Sequence, residues 1–322
     1  MLKKFIIFFI FTLFIPYFAI AANILENSAF EVKNKAAWSY SSNNKAAPLC
    51  AEFNTDQNNT TGGSYSVKLY WNADDVTRTT LLSKIYILKP NTEYTISAYY
   101  YKNATDQNNQ EFILELYDDH SSNSYANGAT PIAAATEGSW TRVDSQFTTS
   151  DTAYYGYHVR IGTYGSGTVG NYLYIDDVQL EEAGSVGAYA PISNVELGFS
   201  TTKTGNVFRT GDTCTVKFNL FNGTGGELSP TINYQVYDFY NARIKSGSFS
   251  KTIAANTLGT QDINLSLGKQ GIFRIIACVV GSQHSESEGA FSVVPVPRGS
   301  PTFTPSADYN FGIHSTFSDH YL

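Results

Sequence analysis

The sequence predicts an all-β protein built from two successive β-sandwiches, and three observations predict it. Short alternating apolar and polar runs recur between clusters of Asn, Asp, Ser and Gly, with no sustained helical period. Charged residues make up only 15% of the chain while Tyr (23), Phe (21) and Gly (25) are abundant, which suits sheets with wide polar, aromatic faces. The length of 322 residues exceeds what one compact sandwich needs, so more than one core is expected.

Taken in order, Met1 to Ala21 reads as a signal peptide. Lys3 and Lys4 precede an apolar run from Phe5 to Ile20, and Ala19-Ile20-Ala21 places small residues at the cleavage position. The run is shorter than the roughly 20 apolar residues a spanning helix requires, so export with cleavage is expected, without a membrane anchor. Loss of the two lysines takes the formal charge from -7 to -9. Residues 22–187 form the first sandwich, and 188–194, with Pro191 and several small residues, a linker. Residues 195–294 form the second, immunoglobulin-like or fibronectin-like sandwich, with clear runs at Thr213 to Phe221, Thr231 to Phe239 and Ile272 to Val280. A Pro-rich linker covers 295–308, and 309–322 reads as the stub of a further domain.

Within the first domain the segments Asn23 to Glu31, Gly62 to Leu69, Leu88 to Ser97, Trp140 to Val143 and Tyr174 to Leu180 follow one another in a familiar order. In that order they resemble the carbohydrate-binding modules of the CenC type (families 4, 9, 16 and 22). The resemblance implies a jelly-roll sandwich that binds a poly- or oligosaccharide without catalysis. In the stub, Phe311-Gly312-Ile313-His314 resembles the first barrel strand of several glycoside hydrolases, and that resemblance implies that the chain is the front part of a larger polysaccharide-degrading enzyme. The alternative is a cell-surface structural or adhesive protein whose sandwiches act as spacers.

The resemblance also implies that the first and last of these segments meet and hold a structural calcium ion. Carried over residue by residue, the ligands are the Glu31 and Asp176 carboxylates and the carbonyls of Ala29 and Tyr65, a hard oxygen set of the kind calcium takes. Asp177 is the lesser candidate, because neighbouring strand residues face opposite ways. Gly62 stands where the family often has another carboxylate.

Strand parity nominates a binding face. Tyr94, Ile96, Ala98 and Tyr100 share one side and leave Tyr99 and Tyr101 on the other, next to Ser97. Phe112, Leu114 and Leu116 point inward and present Glu115 and Tyr117; Tyr157, Val159 and Ile161 point inward and present His158 and Arg160. If these strands share a sheet, one open face combines Tyr99, Tyr101, Glu115, Tyr117, His158 and Arg160. Aromatic rings stack on the C–H faces of pyranose rings, and the charged groups orient hydroxyls. Trp38 and Trp71 either extend this face or plug the core, Tyr125 is a further candidate at its edge, and Trp140 is expected to pack.

Other chemistries are not indicated. The net negative charge and scattered Lys and Arg argue against nucleic acid or an anionic lipid surface. No Gly-rich phosphate loop, metal-spaced histidine pair or nucleophile elbow occurs. Cys214 lies in register with Val216, Phe218 and Leu220, whereas Cys278 shares a side with Arg274, so the two are expected to point apart and not to bridge. The chain is thus read as a secreted, monomeric, non-catalytic binder.

Overall fold

The computed structural model describes residues 23–32, 37–42, 51–54, 59, 63–70, 78–103, 111–118, 123–124, 130–131, 136–151, 156–164, 172–282 and 285–296. The expected signal peptide, the stub, Gly62, Trp71 and Tyr125 lie outside them.

The first sandwich contains β1 (Trp38–Ser42), β2 (Ala51–Asn54), β3 (Ser66–Tyr70), β4 (Arg78–Ser83), β5 (Tyr86–Ile87), β6 (Glu93–Lys102), β7 (Glu111–Asp118), β8 (Asn123–Ser124), β9 (Thr130–Pro131), β10 (Trp140–Thr148), β11 (Gly156–Tyr164) and β12 (Tyr172–Glu181). One sheet runs β1-β4-β11-β7-β8, with β5 pairing β11 and β9 pairing β7. The other runs β10-β6-β12-β3-β2. Their inner faces meet in a core that includes Trp38, Ile96, Tyr100, Phe112, Leu114 and Ile161, all at or below 1% exposure. The inward sets expected from parity in β6, β7 and β11 are buried, because a period of two leaves the sheets no other way to hide these apolar side chains, but Thr95, Ser97, Ile113 and Glu115 on the outward sides of β6 and β7 are buried as well.

The opening segment closes the sandwich against its last strand. Ile24 N–H donates to Leu180 O (2.8 Å), Val178 N–H to Ser28 O (3.0 Å), and the Asn23 side chain bonds Val178 O, Ser28 Oγ and the N–H groups of Leu25 and Leu180. The first and last segments therefore meet, as the family resemblance implied.

The second sandwich contains β13 (Val195–Thr201), β14 (Val207–Arg209), β15 (Cys214–Asn222), β16 (Thr231–Asp238), β17 (Arg243–Ser250), β18 (Thr257–Leu265), β19 (Gly271–Val279) and β20 (Glu286–Val294). Sheet β13-β15-β18 faces sheet β14-β20-β19-β16-β17 over a separate core around Phe218, Val236, Phe273 and Phe291. Cys214 is in that core on β15, Cys278 is half-buried on β19 in the opposing sheet, and both thiols are free. Between the domains, residues 182–194 run over the outer face of the first sandwich. Thr95 Oγ1 donates to Ala183 O, Arg142 to Gly187 O, and Gln179 bonds both Ala188 O and Ala190 N–H.

Candidate functional site

Four of the six face residues come together. In the register of β7 against β11, Glu115 lies opposite Arg160 and Tyr117 opposite His158. Arg160 Nε donates to Glu115 Oε2 at 2.6 Å and its terminal nitrogen bonds the same oxygen. The guanidinium carbon sits 4.8 Å from the Tyr117 ring centroid, and Tyr117 stacks on His158 at 4.9 Å and 29°. Side-chain exposures of 18% for Arg160 and 11% for Glu115 show a partly desolvated pair. Each group fixes its neighbour, so a planar aromatic patch and a charged pair are held ready on one outer face.

Tyr99 and Tyr101 are not part of it. They belong to β6, which pairs β10 and β12 in the other sheet, so they lie on the opposite outer surface of the sandwich. The expectation of one shared face is corrected here: the parity of each strand was right, but β6 and β7, although consecutive, cross between sheets. Tyr99 lies under the Arg142 guanidinium (5.3 Å), whose terminal nitrogens bond Ser97 Oγ and Gly187 O. Tyr101 joins a row that parity in β6 alone did not reveal. Trp140 lies 5.7 Å from Tyr101, Tyr101 lies 5.8 Å from Tyr174, and Tyr174 lies 5.3 Å from Tyr172. Lys68 sits 4.4 Å above Tyr172. The rings meet at 54–76°, edge against face, so they pack chiefly on one another. Trp38 is core, its ring against Phe30.

A second cluster forms where the two domains touch. Glu31 accepts N–H bonds from Ser64 (2.8 Å) and Tyr65 (2.9 Å). Asp176 accepts from Asn59 N–H (2.9 Å), and Asn59 Nδ2 donates to Asp177 (2.7 Å). Asp177 thus joins Asp176 on one side, against the alternation expected of a strand. A β-bulge between Asp176 and Gln179, with Asp177 at φ +48°, breaks the period and turns both carboxylates inward. Glu196 arrives from β13 and accepts N–H bonds from Ala29 (3.1 Å) and Glu31 (3.0 Å).

All four carboxylates are buried. Burial pushes Glu31 up to about 7, against the pull of the Ser64 and Tyr65 N–H groups and with the help of the Asp177 charge. Burial likewise pushes Glu196 up to about 8, with the charges of Glu31 and Asp177 adding to it, and raises Asp176 well above the usual carboxylate range beside Asp177. The charges acting on these groups are one another's, so the cluster carries a negative excess that a proton or a cation relieves. The carboxylates are hard oxygen groups of the kind a divalent cation takes, and Glu31 packs so closely on Gly63 that a Cβ there would collide with it. Among the described residues no group of three or more acidic, His or Cys side chains converges as a finished coordination sphere. The oxygens of Glu31 and Asp176 are turned to backbone N–H groups instead.

No curated protein sequence matches the chain. Among solved structures, one similar to it is the family 22 carbohydrate-binding and family 10 hydrolase modules of a Clostridium thermocellum endo-1,4-β-D-xylanase with xylohexaose. Identity is 16%, coverage 50% of this chain and 29% of that one, and the TM-score 0.36. The chain therefore spans less than a third of that protein's length. The C-terminal family 22 module of the same bacterium's xylanase is 17% identical over 50% of this chain and 97% of its own (TM-score 0.34). A tandem of two family 22 modules from Paenibacillus barcinonensis is 12% identical over 83% and 92% (TM-score 0.34). A family model described as a carbohydrate binding domain, covering types 4 and 9, matches residues 22–157, which include β1 to β10, Glu31, Glu115 and Tyr117 but end at the start of β11, before His158 and Arg160. Over those residues the first sandwich of this chain is similar to that carbohydrate binding domain family.

Proposed function

We propose that the first sandwich binds a neutral poly- or oligosaccharide on the outer face of β7 and β11, in an exported protein, and that it serves to target a larger glycoside hydrolase. The observation that carries this reading is the interlocked set of Glu115, Tyr117, His158 and Arg160, a polar and aromatic group prearranged on one face of a domain whose family binds carbohydrate. Aromatic rings accept the apolar side of a sugar, while the ion pair offers donors and acceptors at fixed positions for its hydroxyls. Water competes on an open face, so a Kd of about 0.1 to 1 mM, roughly 4 to 5.5 kcal/mol, is expected.

Affinity gels containing plant, algal and microbial glycans test it. The intact chain is expected to be retarded by at least one glycan. Arg160→Ala with Tyr117→Ala should abolish the retardation, because a loss of about 1.4 kcal/mol already costs tenfold at this affinity. Tyr99→Ala with Tyr101→Ala should leave it in place. The opposite pattern would assign binding to the other sheet, where Trp140, Tyr101 and Tyr172 are half-buried rings around the buried Tyr174. No retardation by any glycan would defeat both.

We also infer a structural calcium ion at the end of this sandwich, with Glu31, Asp176 and the carbonyls of Ala29 and Tyr65 as its ligands. When bound, the ion would neutralise the buried carboxylates and tie the opening segment to β12. The support is the gathering of Glu31 and Asp176 in one buried cluster where those two segments pair.

A further inference from the structure

The hairpin between β16 and β17 carries two rings that the core of the second sandwich does not use. Phe239 and Tyr240 are 74% and 86% exposed, whereas Phe208, Phe218, Phe221, Phe273 and Phe291 of the same domain are at most 4% exposed. The turn holds the two residues in place. Asp238 Oδ1 accepts the N–H groups of Tyr240 and Ala242 (both 3.0 Å), Asp238 O accepts that of Asn241 (2.9 Å), and Asn241 is left-handed (φ +60°), a conformation Asn adopts more readily than bulkier residues. Asp238 and Asn241 thus meet the demands of the turn, which leaves positions 239 and 240 to present side chains outward. Their rings stand edge to face, with centroids 5.6 Å apart and planes at 83°. Part of the ordering cost of binding is therefore met before a ligand arrives.

Cations flank this tip. Arg243 and Arg274 lie opposite Tyr237 on either side, in the registers of β16 with β17 and with β19. Arg274 sits 5.3 Å from the Tyr237 ring centroid and donates to Asn241 Oδ1 in the turn (2.9 Å), while Lys269 pairs with Asp238 (2.7 Å). Glu288 lies 3.6 Å from Arg274, and Arg243 is exposed and forms no ion pair among the described residues. Three cations against the Asp238 and Glu288 carboxylates leave a local excess of +1. Charge is divided the same way along the sequence: residues 23–194 hold 10 Lys and Arg against 19 Asp and Glu, a net of -9, and residues 195–294 hold 8 against 7, a net of +1. The tip is also remote from the negative domain. Asp238 pairs with Phe273, and β19 runs from there to Val279, which bonds Ser285 beside the start of β13. That length of strand is about 20 Å, well beyond the roughly 8 Å over which exposed charges act in physiological salt.

We propose that the tip of the β16–β17 hairpin is a second binding site, for a carboxylated polysaccharide, so that the second sandwich takes an acidic glycan where the first takes a neutral one. Phe239 and Tyr240 offer surfaces for the C–H faces of pyranose rings, and the forked donors of Arg243 and Arg274 match a carboxylate on the same chain. A lipid bilayer fits less well. At about 1 kcal/mol for each basic residue, a net charge of one and two rings fall short of stable attachment to a membrane surface. The site shares no residue with the face of β7 and β11, so the two readings stand or fall separately.

The test is affinity electrophoresis of the intact chain in gels containing polygalacturonate or its fully methyl-esterified, uncharged form. Wild type should be retarded by the acid and not by the ester, and less so as salt is raised. Phe239→Ser with Tyr240→Ser should weaken the retardation about tenfold, the loss of two stacking rings. Arg243→Gln should weaken it as well and flatten its salt dependence, while Arg160→Ala with Tyr117→Ala should leave it in place. The replaced tip side chains are exposed, so melting temperatures should not change; Tyr240→Ser alone carries the comparison if the double variant melts lower. No retardation by polygalacturonate overturns the proposal, and so does equal retardation by acid and ester, or retardation that survives the loss of both rings. Retardation lost with Arg160 and Tyr117 but kept in the tip variants moves the acidic glycan to the first sandwich and overturns it too. Sedimentation with phosphatidylserine vesicles that depends on Phe239 and Tyr240, without retardation by polygalacturonate, assigns the tip to a membrane surface instead.

Discussion

Trp38→Ala is expected to destabilise the first sandwich by about 3–5 kcal/mol, the range for removing a buried aromatic side chain. Trp38 is 1% exposed and packs on Phe30 with ring centroids 5.2 Å apart. Its indole N–H is shared between Glu26 O (3.0 Å) and Asn27 O (3.1 Å), so the same side chain fills the core and pins the turn that leads to Phe30 and Glu31. Truncation therefore leaves a cavity and two buried carbonyls short of a donor. Trp38→Phe, which keeps most of the volume and loses only the donor, should cost about 1–2 kcal/mol. Scanning calorimetry checks both: the transition of the first sandwich should fall steeply in the Ala variant, while the core around Phe218 and Phe291 unfolds near its original temperature. Equal losses for Ala and Phe would show that the indole bonds, not the packing, dominate.

Gly162→Ala should cost about 2–3 kcal/mol, as overpacking against an unyielding neighbour does. A Cβ at this position would collide with the Thr79 carbonyl oxygen and lie 2.7 Å from Thr80 Cα. These are backbone atoms of β4, the hydrogen-bonded neighbour of β11, so no side-chain rotation relieves the clash. Gly162 stands two residues from Arg160, and the separation of β4 and β11 that the methyl group forces should also disturb the Arg160–Glu115 pair. The expected result is a lower midpoint in chemical denaturation together with weaker glycan retardation. By contrast, a Cβ at Gly259 would meet only the Ile253 side chain, at 3.1 Å, and Gly259→Ala should be tolerated more readily.

Much of this architecture is legible in the sequence because strand parity is a local property. Tyr94, Ile96, Ala98 and Tyr100 can be assigned to a core from their spacing alone, and the opposite orientations of Cys214 and Cys278 follow in the same way. Which sheet a strand joins is not local. Nothing within β6 or β7 records that the chain crosses the sandwich between them, and that crossing separates Tyr99 and Tyr101 from Arg160. Asp177 defeats the alternation through a bulge, and no residue type at 176–179 announces one. Glu196 was invisible as a member of the cluster because it follows the linker, in a domain whose placement only the folded chain reveals.

The small residues of 182–194 give that stretch the composition of a slack tether, yet its bonds to Thr95, Arg142 and Gln179 shorten it to a stitched seam. Pulling on the second sandwich loads those stitches before it loads either hydrophobic core. They would open one after another from Ala190 back to Ala183, each releasing a little slack. In single-molecule stretching the segment is therefore expected to give a small extension ahead of the unfolding of either sandwich.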